Sequence, residues 1–300
     1  NDISEVRGIV GATPLASTME DIKGRALMKR DEVDVVQFAL PVAGDNDIQI
    51  INNLRDQVQN LKEMWTGRTP AGIPMVPDEL TEAAFYGRED VATLLDEGKV
   101  PLGLDLETVE PVTWDLKKGN LLYLTDKEEQ MTQFVKQIAR SKQKVIVLAP
   151  AYNELPEMEG VTILSTKEDY VAGIKKMEEN IQLRLEQQKS QHEATIVLYN
   201  QLELMNDLSM DLQSSLNYVL EKGARAGYAT VAMSGSQLNR KIDEVSKSIK
   251  LYKQAIVAMR ITDQSVLNVI NRSVREEPLD SQVNYYVEDG FVRKVKVLMK

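Results

Sequence analysis

The residues best placed to do chemistry in this sequence follow two short apolar runs. The first run, Asn120-Leu121-Leu122-Tyr123-Leu124, leads into Thr125-Asp126-Lys127-Glu128-Glu129-Gln130-Met131-Thr132. A turn that grips a nucleotide's phosphates needs glycines so that backbone N–H groups can curl around the anion. It also needs a lysine for the β- and γ-phosphates and a hydroxyl for magnesium. Here Thr125 and Gln130 stand at the glycine positions and Met131 at the lysine position. Only Thr132 supplies the group such a loop requires. Three carboxylates, on Asp126, Glu128 and Glu129, crowd the place of a triphosphate, and the sign of the charge is wrong. The second run, Thr195–Tyr199, ends in Asn200-Gln201. Hydrolysis would call for acidic groups there to hold magnesium and to set water. An amide is a poor ligand for a hard cation and a negligible base.

Each candidate also has a structural reading. Thr132 can be an ordinary residue of a helix start with a locally bonded hydroxyl. Asn200 and Gln201 can satisfy loop backbone at a strand end, and Glu128 and Glu129 suit the positive end of a helix. Lys127 is the one cation that could stand in for the missing lysine. The single histidine, His192, has no second histidine and no cysteine to join it in a metal site, and reads as a surface residue. The absence of cysteine removes disulfides, thiolate zinc sites and a thiol nucleophile.

These groups need elements to hold them. Continuous apolar runs at Thr113–Leu116, Asn120–Leu124, Lys144–Leu148, Val161–Leu164, Thr195–Tyr199, Ala229–Met233 and Ala255–Met259 predict strands. Amphipathic stretches predict helices over 128–138, over Val171 to Leu185, and over Leu208 to Val219, the last capped by Asn206 or Asp207 and stopped by Gly223. That alternation predicts an α/β fold, a mainly parallel sheet with helices on both faces. Before it, Asn46 to Met64 carries a helical stripe of Ile50, Leu54, Val58, Leu61 and Met64. Three prolines in Thr69–Pro77 then enforce an extended course. The expected division is a junction segment over 1–80, packing on a larger domain over 81–300. The basic C-terminus, Arg293, Lys294, Lys296 and Lys300 among Val292, Val295 and Val297, reads as a strand with an exposed face rather than as a lipid-binding patch. Across 300 residues the net charge is −10, which argues against a phosphate-tracking nucleic-acid surface. No apolar run is long enough to span a bilayer. Asn1-Asp2-Ile3 opens without an initiating Met or a signal-peptide pattern, as expected of a piece of a longer protein.

Several of these segments together resemble a known family. Gly24-Arg25-Ala26-Leu27 through Gln37 and Pro41, then Trp65-Thr66-Gly67 and Ile73-Pro74-Met75-Val76-Pro77, resemble the junction before an ATPase module in the type VII secretion ATPases. These are the EssC/EccC-type members of the FtsK/SpoIIIE superfamily. Val100–Asp105 is similar to the strand that opens such a module. Gly223-Ala224-Arg225-Ala226-Gly227-Tyr228, running on to Ser234-Gly235-Ser236-Gln237, is similar to the segment after the second acidic motif. The resemblance is to the third, C-terminal module. It implies a RecA-like P-loop NTPase fold in a membrane-anchored motor, on the cytoplasmic side, that exports WXG100-type helical hairpins. The implied partners are the preceding module of the same chain, the exported hairpins, and further copies in a hexamer, with no nucleic acid. Arg225 matches a position often found near a neighbouring nucleotide.

Two functions compete. One is a degenerate, non-hydrolysing module for substrate recognition or regulation, with no catalytic residue, no metal and no cofactor. The other is a nucleotide-binding or weakly active ATPase that uses Lys127, with ATP and magnesium as weak ligands. A DNA translocase ranks below both because of the acidic charge.

Overall fold

The computed structural model describes residues 3–11, 22–68, 72–270 and 276–298. Thr69, Pro70 and Ala71 of the expected linker lie outside them. The chain divides into two compact units, Asn1–Gly72 and Ile73–Lys300.

The first unit carries helix α1 (Ile3–Val10), strands β1 (Arg25–Lys29) and β2 (Val33–Gln37), and helix α2 (Asp47–Met64). β1 and β2 pair antiparallel with Arg25 opposite Gln37. Asn46 caps α2, its side chain accepting from the Gln49 amide at 2.9 Å, as Asn at that position commonly does. The predicted stripe forms, and its Leu54, Val58, Leu61 and Met64 are all exposed. Trp65, directly after it, is exposed as well.

The second unit begins earlier than the sequence suggested, because Leu80 is fully part of it. Leu80 is buried with Phe85 of α3 (Glu82–Tyr86) and Val91 of α4 (Glu89–Asp96). The Gln282 amide clasps its backbone, accepting from Leu80 N at 3.1 Å and donating to Leu80 O at 3.2 Å. Lys296 Nζ donates to the Asp78 carbonyl at 2.6 Å. The first and last segments of this unit are therefore tied together.

The remaining elements are β3 (Val100–Asp105), β4 (Pro111–Trp114), β5 (Leu121–Leu124), α5 (Glu128–Ala139), β6 (Val145–Leu148), β7 (Val161–Leu164), α6 (Lys167–Glu186), β8 (Ala194–Leu198), α7 (Gln201–Asp207), α8 (Met210–Lys222), β9 (Tyr228–Ser234), α9 (Glu244–Lys250), β10 (Gln254–Val257), β11 (Val283–Glu288) and β12 (Phe291–Lys296). The strands form one ten-stranded sheet in the order β4-β3-β12-β11-β10-β5-β9-β8-β6-β7. From β10 to β7 all pairings are parallel. β11, β12, β3 and β4 extend it antiparallel. The α/β fold with a mainly parallel sheet is the one the sequence predicts.

Alternation along each strand sends side chains to two cores. Leu122, Leu124, Ile196, Leu198 and Val257 pack under α6, α8 and α9. Leu121, Tyr123, Val147, Val197 and Ile256 pack under α5. Trp114 is fully buried in the second core, and its indole N–H donates to Gly119 O at 3.0 Å. One helix start differs from expectation: neither Asn206 nor Asp207 caps α8. Leu208 turns extended, ends α7, and leaves Ser209 to accept from the Leu212 amide.

Candidate functional site

The carboxyl ends of β5, β8 and β9 meet at one rim of the sheet, the place where open α/β folds bind ligands. Only Thr125, Asp126 and Lys127 separate the last residue of β5 from the first of α5. The helix has absorbed the rest of the would-be loop. The amides of Gln130 and Met131 both donate to Lys127 O, at 3.2 and 3.3 Å, so neither is turned toward an anion.

The turn is closed by its own side chains. Thr125 is fully buried, its amide bonded to Ser234 O at 2.9 Å. Its hydroxyl donates to Gln130 Oε1 at 2.5 Å and accepts from the Lys127 amide at 3.2 Å. Met131 is buried in the core beneath α5 and faces away from the rim. Lys127 occupies the cap position of α5 without a capping side-chain bond and is exposed. Asp126 Oδ1 accepts from the Ser236 amide at 2.8 Å and from its hydroxyl at 3.3 Å. A Cβ at Gly235 would stand 2.5 Å from that oxygen, so this contact depends on glycine there.

Thr132 turns to Tyr199. Its hydroxyl lies 2.9 Å from Tyr199 Oη, which donates to Glu128 O at 3.2 Å. Burial is the main influence raising the Tyr199 pKa, so the phenol remains a neutral donor. Asn200 sits in the left-handed region at φ 45°, a conformation Asn tolerates better than most residues. Its Nδ2 donates to Glu128 Oε1 and to Tyr152 Oη, each at 3.2 Å. Gln201 is wholly buried, accepting from Ser234 Oγ and donating to Ser246 Oγ, both at 3.1 Å. It pins the end of β9 to α9 and does not reach the rim.

Asp126, Glu128, Glu129 and the adjacent Glu203 and Asp207 leave the rim carboxylate-rich. Burial, then Glu203, Glu128 and Asp207, hold the Tyr152 phenol above its ordinary pKa. Among the described residues no group of three or more acidic or histidine side chains could hold a metal ion. As an anion receptacle the site is poor, because its charge repels phosphate and its width is taken up by Thr125 and Gln130.

The structure brings Thr125, Asp126, Lys127, Gln130, Thr132 and Asn200 to one rim and sends Met131 and Gln201 inward. Arg225 is elsewhere. It lies in the single turn Gly223–Ala226 that precedes β9, at the amino end of that strand. Seven residues of β9 separate it from the rim, about 20 Å at strand rise. Sequence reasoning missed Tyr199, Tyr152 and the serines of 234–236 as the groups that tie this rim together. Their hydroxyls next to amide and carboxylate positions were the available signal.

No family model matches the chain. Over 98% of its length it is 25% identical to the type VII secretion system protein EssC of Staphylococcus aureus. Over 93% of its length it is 27% identical to the ESX secretion system protein YukB of Bacillus subtilis. It spans about a fifth of the length of these relatives. Among solved structures, EssC ATPases 2 and 3 from Geobacillus thermodenitrificans superpose with a TM-score of 0.71 at 22% identity, over 99% of this chain and 59% of that one. ATPases 2 and 3 of Thermomonospora curvata EccC, in complex with a signal sequence peptide, give 0.57 at 16% identity over 94% of this chain and 54% of that one.

Proposed function

We propose, from its homology to type VII secretion proteins of the EssC/EccC kind and its RecA-like sheet, that this chain is a non-hydrolysing module of a secretion motor. In that motor it takes part in recognising exported chains. The observation that carries the reading is the Thr125–Gln130 hydrogen bond across a three-residue turn, with Met131 buried where a phosphate-binding lysine would stand. Closing the turn with side chains and lining it with carboxylates removes both the amide cradle and the positive charge that phosphate chemistry requires. The fold then persists as a scaffold whose grooves serve other purposes.

The recognition half rests on the relative whose structure holds a signal sequence peptide. On this reading the module contacts a helical hairpin exported through the motor. It works beside a preceding module of the same chain, in a hexamer on the cytoplasmic face of a membrane. No helix among the described residues is long and apolar enough to cross that membrane. Calorimetric titration with magnesium–ATP separates this reading from a working ATPase. The expected result is no heat of binding up to millimolar nucleotide. Micromolar binding that disappears in Lys127→Ala would replace it with the nucleotide-gated reading. Titration with an exported hairpin tests recognition separately, and absence of association would remove that half.

A further inference from the structure

A cleft runs beside α5 on the sheet face opposite α6 and α8. Its free volume is about 110 Å³, room for a single small ring and little more. Its walls are largely apolar, with Leu102 of β3, Phe134 of α5, Ile256 of β10 and Leu298. Polar side chains interrupt them: the Tyr123 phenol and the Asn284 amide on the sheet, and Glu129, Gln130, Gln133 and Gln137 along α5. Asn284 is only 2% exposed, and its Nδ2 makes no hydrogen bond of normal geometry, although the Tyr123 phenol lies near enough to feel the amide. Buried donors are nearly always satisfied, and one left unpaired beside a cleft is a place where an incoming acceptor gains more than it loses. Burial raises the Tyr123 pKa, with the neighbouring Asn284 amide opposing it, so the phenol stays protonated and can donate as well. Among the described residues no lysine or arginine lines the cleft, and Glu129 is part of its lining, which disfavours an anion. The apolar walls disfavour a cation.

We infer that this cleft binds a small uncharged ligand, with an apolar ring or short aliphatic body and one carbonyl or hydroxyl acceptor directed at Asn284 and Tyr123. The cleft shares one residue with the neighbouring turn. Gln130, which lines the cleft, already spends its Oε1 on Thr125.

Saturation-transfer NMR on the 300-residue chain tests the site, with benzamide as the neutral probe and benzoate as its charged counterpart. The expected result is millimolar binding of benzamide, at least ten-fold weaker binding of benzoate, and a ten-fold loss for benzamide in Asn284→Leu. Gln133→Trp, a substitution at a half-buried residue of the lining that fills the cleft, should abolish transfer in a chain whose circular dichroism is unchanged. It keeps the test decisive should Asn284→Leu not fold. No transfer to benzamide, equal transfer to benzoate, or undiminished transfer in the folded Gln133→Trp chain would each overturn the inference.

Discussion

Met131 is the residue at which the proposed loss of a phosphate-binding lysine can be tested. It is 3% exposed and surrounded by Phe134, Tyr123 and Val147 in the core beneath α5. Met131→Lys would place an ammonium group in that core, where neither solvent nor a partner meets it. The melting temperature should fall by several degrees, and magnesium–ATP should still give no binding signal. A Met131→Lys chain of unchanged stability that binds nucleotide would show that the turn opens after all. Gln201 makes the complementary case. Its amide serves two buried hydroxyls at once, so Gln201→Leu should cost roughly 1–3 kcal/mol in denaturant unfolding. A position that looks catalytic by strand register is here a brace between β9 and α9.

At the scale of elements, two further outcomes follow from local geometry. Gly227 holds φ at +84°, and a Cβ there would land on the carbonyl oxygen of Gln191. Gly227→Ala should therefore lose stability in the same unfolding experiment by about 1–3 kcal/mol. Glu276 anchors the turn after β10, accepting from the amides of Ile261 and Thr262 at 2.9 and 3.0 Å. Burial pushes its pKa up, but bonds from Tyr285 and from those amides outweigh it, and the net result lies below the ordinary 4.5. With the folded value depressed, its stabilisation is complete above pH 4.5 and is lost as pH falls through the folded value. Thermal melts between pH 6 and pH 3 should therefore drop less steeply in Glu276→Gln than in the parent chain.

The sequence made the parallel half of this sheet legible. Runs such as Leu121–Leu124 and Val145–Leu148, largely buried between helices, carry no charged residue and alternate with amphipathic helices. β11 was not legible. Its Val-Asn-Tyr-Tyr-Val-Glu mixes polar and aromatic residues, and its partners β10 and β12 stand on either side in an antiparallel pattern that no local period announces. The rim was half legible. That residues 125–132 hold no glycine and carry three carboxylates could be read from residue types, whereas the Thr125–Gln130 closure and the inward turn of Gln201 depend on where α5 begins and on contacts with residues 33 and 45 positions away. Arg225 was placed by motif similarity alone, and register along β9 put it at the other end of the strand.

At the scale of the whole molecule, the chain passes from one unit to the other within a proline-rich stretch, and the larger unit holds nearly all of the buried core. Limited proteolysis should cut first between residues 65 and 77. A fragment that starts near Ile73 should remain resistant, with the cooperative melt of the full chain. Loss of that melt after cleavage would mean that the first unit is needed for the second to fold. The Gln282 clasp on Leu80 and the Lys296 bond to Asp78 join points more than 200 residues apart in sequence. The polypeptide thus arrives and departs at one corner. A tug on either end of this unit would fall first on that corner, on its polar bonds and on the cluster that Leu80 and Leu298 share with Phe85 and Val91, before it reached the parallel strands.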